Sequence, residues 1–208
     1  MIKGPIPLRQ KLREVASEAM LDAAERCMLR NDYEQTTMQQ IASEAGCAIG
    51  TFYLYFKSKE EIFRAILNRH GCEVHALALV AFARPTDPVE KVRKGLECFI
   101  RYASNDKGFF RLLLAAAPLR IRHLHKLMDD EARKQHDSYN QLELAALRDA
   151  QKRGFIRNDI PAELIQELME SIVITFLEHF LEADAPISVQ QRVDTVWKFI
   201  SQGICANA

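Results

Sequence analysis

Between Thr37 and Lys59 the chain gathers side chains suited to holding oxyanions rather than transforming them. Thr37, Thr51, Tyr53 and Tyr55 carry hydroxyls that can donate to phosphate oxygens. Lys57 and Lys59 add charge, and the free N–H groups at a helix start near Ser58 suit an anion. Gln39 and Gln40 bring amides, and Ile49 an apolar contact, at neighbouring positions. No catalytic set accompanies them. There is no GxSxG, no phosphate-binding glycine loop and no cysteine in a recognisable nucleophile motif. Neither E-x-x-H nor H-E-x-x-H occurs, His123 and His125 fall on different faces of a helix, and Glu178-His179 is mere adjacency. No metal, no cofactor and no enzymatic activity are expected.

The elements that must position these groups are helices. The chain has 208 residues, 48% of them apolar, with only 8 Gly and 7 Pro to punctuate it, few for an all-β protein. Lys plus Arg is 28 and Asp plus Glu is 28, so a net charge of zero excludes a polycationic coat and a polyacidic tail. No two of the five cysteines lie closer than 20 residues, which excludes a CxxC pair, and the odd count suits reduced thiols. The basic start is not followed by an apolar stretch, as a signal peptide requires. The longest apolar run, Ala76 to Ala83, is too short for a bilayer. A soluble, cytoplasmic protein without membrane contact is expected.

Apolar periodicity predicts about nine helices. The first runs from Arg13 to Asn31, the second from Thr37 to Gly46 with capping-box spacing to Gln40, and the third from Ala48 to Phe56. Ser58 with Glu61 opens a fourth that reaches Ala83. Asp87-Pro88 opens a fifth, ending near Asn105. Phe109 to Ala117 is short and apolar. Leu119 to Arg153 reads as one long helical stretch with a polar middle, closed by Gly154. Asp159 and Pro161 open Ala162 to about Glu182, and Ser188 with Gln191 opens the last helix.

Ala42, Gly46 and Phe52 have the spacing of a helix-turn-helix: a small residue at the helix crossing, a glycine for the turn, and an apolar anchor on the next helix. Ordinary helical hairpins produce that spacing too. The longer string TTMQQIASEAGCAIGTFYLYFKSKEEIFRAI, Thr36 to Ile66, closely resembles the DNA-binding segment of the tetracycline-repressor (TetR) family of bacterial regulators. The matching features are Thr36-Thr37, Ile41-Ala42, Ala45-Gly46, Gly50-Thr51, Tyr53, Tyr55-Phe56 and Ser58-Lys59-Glu60. The resemblance covers residues 10 to 67, and beyond them only helix number and length agree. It implies an all-α fold, with a helix-turn-helix DNA-binding domain over residues 1–56 and an effector-binding and dimerisation bundle over 57–208. It also implies that Thr37, Gln39, Gln40, Ile49, Gly50, Thr51, Tyr53, Tyr55, Lys57 and Lys59 contact double-stranded DNA.

Two departures from the family pattern stand out. Ala48 replaces the usual Ser or Thr cap of the recognition helix, which costs roughly 1 kcal/mol. No Arg or Lys lies between Ala48 and Phe56, so the common bidentate guanine contact is missing. A disordered basic arm over Met1 to Arg13, with Lys3, Arg9, Lys11 and Arg13, would compensate in a minor groove; a frayed terminus is the plain alternative.

Phe99, Tyr102, Phe109, Phe110, Leu113, Met128, Tyr139, Met169 and Phe176 are the candidate lining of an effector pocket, though such stripes also form plain core. In the eighth helix apolar pairs advance by four from Leu164/Ile165 to Phe180/Leu181, wrapping wider than one core needs. Ile172, Phe180, Trp197 and Ile200 are therefore candidates for a homodimer interface through the last two helices, and a buried helix of a monomer is the alternative. The expected function is a dimeric transcriptional regulator, a repressor released from a two-fold operator by a small lipophilic effector. The alternatives are a small helical enzyme or carrier, and a DNA-binding protein with a packed bundle.

Overall fold

The structure is a computed structural model that describes residues 7–83, 86–116, 128–182 and 187–205. Among these are nine helices: α1 Leu8–Asn31, α2 Met38–Glu44, α3 Ile49–Tyr53, α4 Lys59–Ala83, α5 Pro88–Asn105, α6 Lys107–Ala116, α7 Asp130–Lys152, α8 Ala162–Glu182 and α9 Val189–Ile204. A single antiparallel bridge joins Ile156 to Cys205. No described helix is long and apolar enough to cross a membrane.

The expected start signals are where the helices begin. The Thr37 side chain accepts the Gln40 N–H while the Gln40 side chain accepts the Thr37 N–H, a complete capping box. Ser188 and Gln191 form another at α9. Asp87 caps α5 through the Glu90 N–H at 2.8 Å, with Pro88 in the first turn. Gly46 and Gly154 take φ of +66° and +73°, conformations that cost an L side chain energy.

Three boundaries differ from expectation. The basic arm is helical from Leu8 onward, so it is not a disordered strap over residues 8–13; residues 1–6 lie outside those described. The recognition helix has five residues instead of nine. Ala48 offers no side-chain cap, and Leu54 ends the helix by donating its N–H to Thr51. The stretch from Leu119 is not one helix. Asp129 caps a fresh start at α7, accepting the Ala132 N–H at 2.8 Å, and residues 117–127, with His123 and His125, lie outside those described.

One continuous core runs the length of the molecule. At one end Cys27, Met28, Ile41, Ala42, Phe52 and Phe56 pack together, each fully buried apolar side chain contributing about 1.5–3 kcal/mol. At the other, α5, α7, α8 and α9 pack around Val92, Ile100, Leu147, Ile165 and Val196. α4 belongs to both. Ile62, Phe63, Ile66 and Leu67 complete the first group, and the turns that follow pack against α5 and α7.

Candidate functional site: an exposed helix-turn-helix and an interior cavity

α2 and α3 present one polar face to solvent. Gln39, Gly50, Thr51, Tyr53 and Lys57 are exposed, while Phe52 holds α3 in the core from behind. Ile49 is half-buried and packs against that core, so only part of it is available outward. Tyr55 is half-buried with the Arg13 guanidinium 5.7 Å over its ring, a cation–π contact from α1. Leu54, which the sequence does not single out, is the most exposed apolar side chain here at 74%.

Other members of the predicted set have partners within the chain. Thr37 and Gln40 are engaged with each other in the capping box. Lys59 Nζ donates to the Tyr33 and Glu34 carbonyls at 2.7 and 3.1 Å and sits 4.5 Å from the Tyr33 ring centroid. It fastens the α1–α2 turn to the start of α4. Two of the N–H groups there are taken: Glu61 Oε2 accepts from the Lys57 N–H at 2.7 Å and Ser58 Oγ from the Glu61 N–H at 3.2 Å.

Behind this face α1 is clamped to α4. The Arg69 guanidinium reaches Glu18 at 3.2 Å, Asp22 at 2.7 Å and Glu25 at 2.6 Å. The next residue, His70, is buried; Nε2 meets Glu25 at 3.1 Å and Nδ1 meets the Tyr102 hydroxyl of α5 at 2.7 Å. Its ring lies flat on Phe109 of α6, 3.7 Å between centroids. Burial opposes the Glu25 charge, but hydrogen bonding to His70 and the charges of His70 and Arg69 keep its carboxyl below the usual range. Glu25, His70 and Asp106 offer oxygen and nitrogen atoms within 4.8 Å of one another, the spacing of a cation site. Tyr102 and Glu25 already occupy the two ring nitrogens, which makes the cluster a hydrogen-bond relay between helices.

On the far side of His70 a cavity of about 390 Å³ opens between α4, α5, α6, α7 and α8. Eight of the nine predicted lining residues do line it: Phe99, Tyr102, Phe109, Phe110, Leu113, Met128, Tyr139 and Met169. Phe176 does not; it packs against Phe180 and Phe199, the latter on α9. The cavity also has a polar patch that sequence reasoning missed. His75, held down to about 4 by burial and by the nearby His136, lies 5.8 Å from the Tyr139 ring. Burial pushes the Tyr139 hydroxyl and the Glu143 carboxyl up. Glu143 stands between Leu142 and Leu144, one helical turn after Tyr139, a spacing that puts both on one face of α7. At Gly95 the chain comes so close that a Cβ would lie 2.4 Å from Phe82 and 2.8 Å from the Tyr139 hydroxyl.

The residues expected at a subunit interface divide. Phe180 and Ile200 are buried inside the protomer at 7% and 2% exposure, because α8 turns Phe180 toward the bundle and α9 does the same with Ile200. Ile172 and Trp197 are half-buried. The large apolar side chains left exposed on these helices are Leu164, Leu168 and Phe199.

A solvent-facing helix-turn-helix is thus joined by one long helix to a hollow helical bundle. Residues 20–66 match the family described as bacterial regulatory proteins, tetR family. Over 94 residues the chain is 31% identical to an HTH-type transcriptional regulator of Mycobacterium tuberculosis, a match that covers 45% of this chain and 46% of that protein. The chain thus spans about half the length of that relative. The whole fold is similar to the fatty acid degradation regulator FadR from Bacillus halodurans, with a TM-score of 0.76, 18% identity, and coverage of 90% of this chain and 95% of that one. It is also similar to FadR from Bacillus subtilis, solved in complex with stearoyl-CoA, with a TM-score of 0.70, 19% identity, and coverage of 89% and 98%. Residues 20–66 thus resemble the tetR family in sequence, and the whole chain resembles these regulators in fold.

Proposed function

We propose that the protein is a sequence-specific transcriptional regulator that binds a two-fold DNA operator as a homodimer in the cytoplasm and leaves it when a small lipophilic effector fills the cavity. Residues 1–56 act as the DNA-binding part and 57–208 as the effector-binding and dimerisation part. Gln39, Gly50, Thr51, Tyr53 and Lys57 are the free donors and contacts for DNA; Thr37, Gln40, Ile49, Tyr55 and Lys59 act by holding them in place or through the parts of them left outward. The protein binds its effector without transforming it. Leu164, Leu168 and Phe199 with Ile172 and Trp197 form the subunit contact, which places two recognition helices on one duplex.

The observation that carries this reading is the continuity of α4. Its first half is core for the helix-turn-helix, and its second half is a wall of the cavity. A ligand that prefers one setting of α4 thereby prefers one setting of the DNA-binding face, and the two binding events are coupled. That a protein of this fold holds stearoyl-CoA supports a lipophilic effector.

The test is binding of the purified protein to the DNA flanking its own gene against random duplex of equal length, titrated with salt. Binding confined to the flanking DNA at physiological salt is expected, because nonspecific phosphate contacts weaken steeply as salt rises. Absence of binding to either duplex at low salt overturns the proposal.

A further inference from the structure

One patch of the cavity wall is unlike the rest, which is largely apolar. Where α4, α7 and α8 meet, His75, Tyr139, Glu143 and Gln166 line it. Glu143 Oε1 accepts from the Tyr139 hydroxyl at 3.3 Å and Oε2 accepts from the Gln166 amide at 2.8 Å. Both oxygens accept, an arrangement that suits the charged form, while burial alone favours the neutral one. Among the described residues no cation pairs with it, and its charged neighbour is another carboxylate, Glu170. A half-buried carboxylate without a counter-charge is costly, and a cation brought to it offsets that cost.

Two further observations point the same way. Among the described residues that line the cavity there is no lysine or arginine, while Glu167 and Glu170 add carboxylates from α8. His75 is 8% exposed, lines the same cavity, and has a buried Nδ1 without a hydrogen-bond partner. A neutral imidazole offers one acceptor nitrogen, which an N–H donor would satisfy.

We propose that the cavity takes a lipophilic amine, with its ammonium seated against Glu143 and hydrogen-bonded to His75 and its hydrocarbon over Phe99, Phe110, Leu113 and Met169. This deepens the effector reading above and rests on it. A carboxylate head at the same place would meet Glu143 as a like charge. An alcohol could satisfy His75 but would leave Glu143 unpaired.

The experiment compares octylamine, octanol, octanoate and octanoyl-coenzyme A on the full-length protein, by calorimetry and by release of bound flanking DNA. Octylamine is expected to bind about tenfold or more tighter than octanoate. Glu143→Gln is expected to remove that preference while leaving octanol binding within about threefold. Octanoate or octanoyl-coenzyme A binding as tightly as the amine and releasing DNA overturns the amine assignment and leaves the ligand-responsive regulator intact. Binding of none of the four by a protein that still holds DNA overturns the amine assignment and the effector reading together. The comparison on the unaltered protein decides the matter even if Glu143→Gln fails to fold.

Discussion

His70 touches Glu25 of α1 at 3.1 Å with one ring nitrogen and the Tyr102 hydroxyl of α5 at 2.7 Å with the other. Tyr102 lines the cavity and Glu25 belongs to the first helix of the DNA-binding part, so one imidazole bridges the two. Tyr102→Phe removes the hydroxyl and both of its contacts, to His70 and to Glu73. We expect a stability loss of about 1 kcal/mol and little change in DNA affinity without effector. The effector concentration that releases DNA should rise several-fold. Unchanged release by the variant, measured by fluorescence anisotropy of labelled DNA, would show that coupling runs elsewhere.

Gly50 has an ordinary backbone conformation, and a Cβ built there meets nothing within 4 Å. The free fold therefore has no need of glycine at this position. Gly50→Ala should stabilise the short recognition helix by about 0.5–1 kcal/mol. It should also weaken DNA binding if the glycine serves close approach of the backbone to a phosphate. Thermal unfolding and DNA titration of the same variant separate the two effects, and equal DNA affinity would remove Gly50 from the interface.

Ala48 has the extended φ and ψ of a cap, −65° and 142°, without a side chain to act as one. Ala48→Ser should add about 0.5–1 kcal/mol of stability by accepting one of the free N–H groups of α3. Chemical denaturation measures it directly. A neutral or destabilising result would mean that the serine points away from the helix.

His75 carries a pH signature. Its folded value of about 4 lies below its ordinary value of 6.5, so the unfolded chain binds the proton more readily. The contribution of neutral His75 is complete above pH 6.5 and is lost progressively as pH falls from 6.5 toward 4, amounting to a few kcal/mol at most. His75→Phe should therefore flatten the acid limb of the stability profile between pH 6.5 and 4. Parallel profiles for the two proteins would contradict this assignment.

Phe199 is 58% exposed and Leu168 48% exposed on adjoining helices. Phe199→Glu should shift the protein from dimer to monomer in light scattering, since a charge at an apolar subunit contact is left without a partner. DNA affinity should fall with it, because one recognition helix is lost from each site.

Much of this was legible in the residues. The caps at Thr37, Asp87 and Ser188, the turn at Gly46 and the aromatic lining of the cavity follow from local chemistry that spacing reveals. Other features were hidden for physical reasons. Lys59 looks like a phosphate ligand in sequence, but a turn 25 residues earlier brings two carbonyls to it. Phe180 reads as an interface position, and only the rotation of α8 shows that it faces inward, while Phe199 of α9 faces outward. Glu143 stands between Leu142 and Leu144, and its place on the cavity wall depends on α4, α7 and α8 meeting at one point.

Because Ile62, Phe63, Ile66 and Leu67 complete the interior of the helix-turn-helix, the natural seam for recombination is within α4 and not before it. A graft made at residue 56 would strip the DNA-reading module of a third wall and leave it molten. One made between Leu67 and Arg69 would carry that interior whole, leaving the contacts of Arg69 and His70 with Glu18, Asp22 and Glu25, and the packing of α1 on α6 at Leu29 and Gly108, to be matched in the new host. A sensor for a different small molecule could be attached there, with those five ionisable positions and the α1–α6 contact as the adapter.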